Sequence, residues 1–399
     1  MKTSPQLVTI GILAALLGRA TPALAAQASG QAVPPVSAVP VAAAGWDARA
    51  AAKYLDERMG LWFEKADKLR TDQGSTSCVS CHTEVPYALA RPVLRKAIGE
   101  TKPAPQEIRL LDETVRRVST YDTHGVLYED KDEQSRGTEA VLNLLILAGE
   151  DARQGRREAS EPTRKALQEL WKQQRPEGNW NWLDFANEPY ESADSPCYGA
   201  ALAAIAVGTV PGYASAPDAD APGHIARLRD YLNRRYPGEN LYNRVWVLLA
   251  SIRLNGVLTR EQRDALTARL QGQQNPDGGW SLYSLGPWTW SRTDPPFRPN
   301  GKPDASLLAR SDGYATGLVT YALRQAGLPS GHPALKKATA WLEANQLECE
   351  IEQDHWKCWR TYSLNYDREH GGQRGQPWKR MFMSDAATAF AVLALLPSD

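Results

Sequence analysis

The chain carries no net charge: 46 Lys and Arg stand against 46 Asp and Glu in 399 residues. Such a balance produces no long-range field, so neither nucleic acid nor an anionic lipid surface is expected as a partner. Beyond the N-terminal leader, the chain lacks any apolar run long enough to cross a bilayer. Phenylalanine is scarce, with five residues beside 13 Trp and 15 Tyr. Trp and Tyr carry a polar edge, and that bias points to a lined, partly wet cavity as well as ordinary packing between helices. Methionine is rarer still, with four residues including Met1.

The N-terminus reads as a cleavable export signal over residues 1–25. It has a basic start at Lys2, an apolar stretch over 7–17, and Ala23-Leu24-Ala25. Residues 26–45 are rich in Ala and Pro and suit a flexible linker. A soluble periplasmic or secreted protein is therefore expected, with residues 46–399 as its folded domain.

An exported chain meets an oxidising compartment, and five cysteines must be placed in it. Cys78-Val79-Ser80-Cys81-His82 is a C-x-x-C-H pentad. Two thiols at this spacing can add across both vinyl groups of a haem, and the adjacent imidazole can bind the iron. One covalent haem c held by Cys78, Cys81 and His82 is the expectation; a tight disulfide or part of a zinc site are the alternatives. Cys349 and Cys358 flank a short polar segment and could form a local disulfide, or, with Asp354 and His355 between them, a metal site. Cys197 remains as a buried free thiol.

The remainder of the chain repeats itself. Residues 173–180 read QQRPEGNW and residues 273–280 read QQNPDGGW; a third, degraded version begins at Trp341. In each, Gln-Gln ends a helix, Pro and Gly break it, and Trp falls in the loop that follows. Polar amphipathic helices are expected near 46–69, 106–119, 162–174, 224–235, 260–273 and 333–346. They alternate with apolar helices that begin near the pentad, Ser135, Asp194, Leu241, Asp312 and Asp385. Six outer–inner pairs must stack to bury a shared core, and inner helices apolar nearly all round favour a closed ring. The fold class is all-α, an α6/α6 toroid with a central cavity.

The Q-x-x-x-x-x-W loops at 174–180 and 274–280 resemble those of the squalene–hopene cyclase and protein prenyltransferase β-subunit superfamily. The resemblance covers most of residues 46–399. It implies an α/α barrel whose cavity opens at the N-terminal ends of the inner helices. The chain departs from that superfamily's chemistry. In place of a D-x-D-D acid it has Asp130-Lys131-Asp132-Glu133, and no Asp, Cys and His zinc set is evident. Single acids at helix starts, Asp194, Asp312 and Asp385, read as N-caps.

On a toroid the pentad would begin the first inner helix, placing the haem at the mouth. Met381 and Met383, before the last inner helix, and His124 are the candidate sixth ligands, with His370 further out. The mouth would be lined by Trp180, Trp182, Tyr190, Trp280, Tyr283, Trp288, Trp290, Trp359, Tyr362, Tyr366 and Trp378. Glu129, Asp132, Glu188, Glu191, Arg292 and Arg360 would join them. Three functions fit these residues. One is an exported c-type haem protein in electron transfer or haem-based redox chemistry, with a periplasmic redox partner. The second is a cyclase-like or lyase-like enzyme acting on an isoprenoid or glycan. The third is a non-catalytic module that binds a lipid or carbohydrate.

Overall fold

A computed structural model describes residues 45–214, 223–288, 305–351, 354–365 and 377–396. The leader, nearly all of the linker, and Trp290, Arg292, Tyr366 and His370 lie outside the described residues. Six outer helices alternate with six inner ones. The outer set is α1 (Ala48–Lys65), α3 (Pro105–Ser119), α5 (Glu161–Lys172), α7 (His224–Arg235), α9 (Arg260–Gly272) and α12 (Pro333–Ala344). The inner set is α2 (Glu84–Ala97), α4 (Asp132–Arg153), α6 (Ser195–Thr209), α8 (Leu241–Arg253), α11 (Gly313–Gln325) and α13 (Phe382–Leu395). A single turn, α10 (Ala305–Leu308), interrupts the order before α11. No helix among the described residues is long and apolar enough to cross a membrane.

Closure of the ring is visible in the packing. Each inner helix packs on the next, α2 on α4, then α6, α8, α11 and α13, and α13 returns to α2. Ala, Val and Leu cover every face of α6 and α13, whose residues are almost all buried. Outer helices such as α3 and α5 bury only one stripe and present charge to water. The fold class read from the sequence is the one observed.

The repeated loops have a physical cause. The Gln174 side-chain amide donates to the carbonyls of Gly178, at 3.3 Å, and His224, at 2.9 Å. Gln274 donates to Gly278 and Ala334, both at 2.8 Å. Each glutamine thus ties its own turn to the start of the next outer helix. Gly178 and Gly278 sit at φ +101° and +100°, and a Cβ there would meet the backbone of Arg227 or Lys337. The tryptophan then seals the wall. Trp180 Nε1 donates to Leu170 O and Trp280 Nε1 to Leu270 O, each at 2.8 Å.

Two hairpins depart from the expected all-helical chain. β1 (Lys68–Thr71) pairs with β2 (Gly74–Ser77) immediately before the pentad. β3 (Leu347–Ile351) pairs with β4 (Asp354–Cys358), and a disulfide joins Cys349 to Cys358 with Cα atoms 5.9 Å apart. Among the described residues no group of three His, Cys, Asp or Glu is arranged to hold a metal ion, which leaves the zinc alternatives without support.

Candidate functional site

Three elements aim the pentad at the mouth of the ring. The β1–β2 hairpin delivers it: Ser77 N donates to Glu113 Oε2 at 2.6 Å, and Arg117 Nη1 donates to Ser77 O at 3.0 Å. Trp62 of α1 grips it from one side through Nε1 to Cys78 O, 2.9 Å. The Ser80 hydroxyl accepts from Thr83 N, at 3.3 Å, and Glu84 N, at 3.0 Å, and so caps the helix that follows. The pentad is therefore a turn ahead of α2 rather than the helix's first turn: the helix begins at Glu84 with Thr83 as its N-cap residue, and Ser80 lends its hydroxyl from the preceding turn.

Cys78 and Cys81 stand as separate thiols, Cys78 half-buried and Cys81 buried. Burial pushes both thiols well up from their ordinary range. His82 stacks on Phe382 with ring centroids 4.1 Å apart, and Trp62 meets it edge-on at 5.2 Å. Its Nδ1 lies 2.9 Å from Thr83 Oγ1, and that hydroxyl donates to Asp385 Oδ2 at 2.8 Å. With the Thr83 proton committed to a carboxylate, Nδ1 must carry the proton in this contact. Nε2 is then the basic nitrogen.

Asp385 is a correction to the sequence reading, which made it an N-cap. It lies within the first turn of α13, where Arg58 Nε and Nη2 reach its two oxygens at 2.7 and 3.0 Å. Tyr54 Oη donates to it at 2.8 Å, and Arg58 also reaches Trp378 O at 2.8 Å. Helices α1, α2 and α13 meet on this one carboxylate, where the ring closes. Asp312 is an N-cap, accepting from Ala315 N at 2.9 Å, and burial lifts it to about 6. Asp194 occupies the N-cap position of α6 without a side-chain capping bond.

Beside Cys78 the walls are Leu69, Val79, Leu127, Tyr128 and Leu183, around a pocket of about 30 Å³. Glu139 lines this pocket, and two further carboxyls, Glu84 and Glu191, act on Cys78 electrostatically. Glu84, fully buried, is pushed up to about 8 by desolvation, which outweighs Arg117 at 3.9 Å. Glu191, half-buried, is held up at about 7 by burial alone. Glu188 is buried and accepts from Ser192 Oγ at 2.7 Å. Glu129, Asp132 and Arg360 are exposed instead, as are Asp130 and Glu133 in the stretch that stands where a D-x-D-D acid would be expected.

The aromatic lining needs redrawing. Trp180, Trp280 and Trp359 do not line the mouth. They are wall wedges less than 2 % exposed, each bonded through Nε1 to an outer-helix carbonyl, Trp359 to Leu342 O at 2.8 Å. Trp182 donates to Tyr190 O at 2.8 Å, and Trp288 packs on Tyr242 at 5.6 Å. Trp378 lies on Trp62 and Phe382, Tyr362 is half-buried, and Tyr283 faces solvent at 38 % exposure. The axis is held by Tyr190, Tyr198, Tyr242 and Tyr314, a closed ring of neighbours with centroids 5.8–6.2 Å apart. Tyr242 and Tyr314 share a 2.9 Å hydroxyl contact. The sequence reading missed Tyr198, Tyr242 and Tyr314, although each stands in the first turn of an inner helix, and that shared position was the available signal.

The candidate sixth ligands fare differently. Phe382, between the two methionines, takes the face of His82, while Met381 and Met383 are buried in the core. His124 is buried, with Nδ1 2.6 Å from Gly125 O and Nε2 3.4 Å from Glu139 Oε1. Burial disfavours its charge, but Glu139 outweighs that and raises its pKa. Its Nδ1 is thus hydrogen-bonded, while Nε2 has only the contact with Glu139. Cys197 is a buried free thiol.

No family model matches the chain, and no curated protein matches it. Solved structures do. One is a UGL variant with the saccharide dGlcA-Glc-Rha-Glc, 11 % identical, TM-score 0.51, covering 87 % of this chain and 96 % of its own. Another is the unsaturated glucuronyl hydrolase of Bacillus sp. GL1, responsible for the degradation of glycosaminoglycan. It is 10 % identical, TM-score 0.50, with the same coverage of 87 % and 96 %. These hydrolases share the α6/α6 toroid, a ring like that of the terpenoid cyclase superfamily. At this identity the likeness is one of fold: the chain is an α/α toroid.

Proposed function

We propose that the mouth of the toroid is the working site and that it carries one haem c on Cys78, Cys81 and His82, in an exported protein. The observation that carries this is the His82–Thr83–Asp385 relay. It fixes the proton on Nδ1 and leaves Nε2 as a lone-pair donor, the tautomer that iron ligation requires. The donor chemistry fits: two separate thiols with two residues between them, the adjacent imidazole held by Phe382 and Trp62, and apolar walls beside Cys78. The haem supplies one-electron chemistry when bound. The protein's own residues orient His82 through Asp385, shield the thiols by burial, and close the axis beneath them with four tyrosines. A periplasmic redox partner would reach the group at the mouth.

The test is expression with a cytochrome c maturation system. A haem-stained band that survives denaturation, lost in Cys78→Ser/Cys81→Ser, is expected. An unmodified polypeptide mass would end this reading.

A second reading rests on Glu191. Its carboxyl, held at about 7 by burial, can hold a proton at neutral pH and release it, the property of a general acid. On a fold shared with glucuronyl hydrolases this makes an enzyme acting on a glycan at the same mouth the competing function. Hydrolysis of dGlcA-Glc-Rha-Glc by the wild type, lost in Glu191→Gln yet kept in the double cysteine variant, would favour it. The absence of any turnover would remove it.

A further inference from the structure

The tyrosine ring does more than close the mouth, because a second space lies behind it. Trp246 packs on Tyr198 at 5.1 Å, and Phe390 packs on Tyr314 at 5.6 Å; the two meet each other at 5.5 Å. Beyond them opens a cavity of about 220 Å³, lined by all six inner helices. It faces away from the pentad, since the residues around it come from the middle and C-terminal ends of those helices. An empty apolar cavity of roughly 150 Å³ already takes a benzene-sized guest, so this one holds more.

Its polarity is graded. Trp246 and Phe390 form the floor and are nearly unexposed, and Leu202 and Leu249 continue the buried wall. The rim consists of helix-final residues: Arg153 ends α4, Arg253 ends α8 and Gln325 ends α11. Both arginines are exposed. Arg153 is paired with Glu150 at 3.1 Å. Arg253 has the Tyr321 hydroxyl as its neighbour, and no carboxylate pairs with it among the described residues. An apolar shaft that ends in an uncompensated guanidinium and a phenol is complementary to an alkyl chain bearing one carboxylate.

We propose that this cavity binds a single free fatty acid of medium chain length, with its tail against Trp246 and Phe390 and its carboxylate on Arg253. It lies at the opposite end of the ring from His82 and stands independently of the haem reading. Decanoate is the probe, titrated calorimetrically into the mature full-length protein. Saturable one-to-one binding with a negative heat-capacity change is expected, together with a rise in melting temperature. Decyltrimethylammonium, which has a similar tail and the opposite charge, should bind at least tenfold more weakly. Arg253→Gln is an exposed change that leaves the fold intact. It should weaken decanoate about tenfold, the loss of one charge-assisted hydrogen bond, and leave decanol unaffected. Ile205→Trp, on the half-buried wall, should block all three. The proposal is overturned if decanoate fails to saturate, if the cationic probe binds equally well, or if Arg253→Gln binds decanoate like the wild type.

Discussion

Asp385 offers the sharpest test of how the ring is held shut. Replacing it with Ala leaves Arg58, 2 % exposed, as a buried cation without its anion. Tyr54 Oη and Thr83 Oγ1 lose their acceptor in the same step. Removing one partner of a buried, hydrogen-bonded pair costs about 3–5 kcal/mol, because the remaining charge is desolvated and uncompensated. For a domain of this size, about 2 °C per kcal/mol converts this to a melting-point loss of roughly 6–10 °C. The double variant Arg58→Met/Asp385→Leu should recover part of that loss, since it buries no charge. A local consequence follows at His82. Once freed from Asp385, the Thr83 hydroxyl can donate to Nδ1, the proton moves to Nε2, and haem incorporation should fall in Asp385→Ala under conditions where the protein remains folded. Calorimetry and the haem absorbance per mole of protein are the assays. A melting point within about 2 °C of wild type would refute the latch; a stability loss with unchanged haem content would refute the relay while leaving the latch standing.

Four further outcomes follow from the geometry. Trp280→Ala should cost about 3–5 kcal/mol in urea unfolding, as a buried wall residue does, without changing haem content; loss of haem would put Trp280 back at the site. Gly199→Ala should destabilise by about 1–3 kcal/mol, because its new Cβ would sit on the Trp182 ring; a neutral result would mean that Trp182 has room to move. Cys349→Ser/Cys358→Ser should lower stability by about 2–3 kcal/mol through release of a short loop, measured under oxidising conditions. For Glu191, burial lifts the folded carboxyl from 4.5 to about 7, so the native state holds a proton that the unfolded chain releases. Its contribution is full below about 4.5 and is lost as pH rises through 7, by about 3 kcal/mol at most, and Glu191→Gln should flatten that slope.

The alternation of six polar and six apolar helices was legible because it rests on burial alone. A helix like α6, apolar on every face, must be surrounded, and only a ring surrounds six of them. The Gln and Trp of the repeated loops were legible as markers, but their job was not. Spacing places Trp180 and Trp280 in a turn, yet whether an indole faces the cavity or the outer helix depends on its Nε1 finding a carbonyl ten residues upstream, a tertiary fact. Asp385 misled for the same reason. An acid at a helix start satisfies local capping rules, and nothing local announces Arg58 more than 300 residues away. The pentad was found by its own pattern, but that pattern assigns no role to the serine inside it, whose hydroxyl accepts from the amides of Thr83 and Glu84 at the start of α2.

The two ends of the ring are chemically unlike, and the helices themselves make them so. Every inner helix presents its N-terminus at the mouth, where unpaired amides and the positive end of the dipole favour anions. The buried acids Glu84, Glu188, Asp312 and Asp385 gather at that end. The far end receives six C-termini, and there the rim residues are Arg153 and Arg253. Between them Tyr190, Tyr198, Tyr242 and Tyr314 with Trp246 and Phe390 make two aromatic layers across the axis, so neither end drains into the other. The aromatic layers therefore stand between the His82 site and the far cavity. Conversely, opening that partition, as by Tyr242→Ala and Trp246→Ala together, should let a ligand of the far end alter the His82 site, an effect the intact ring is built to prevent.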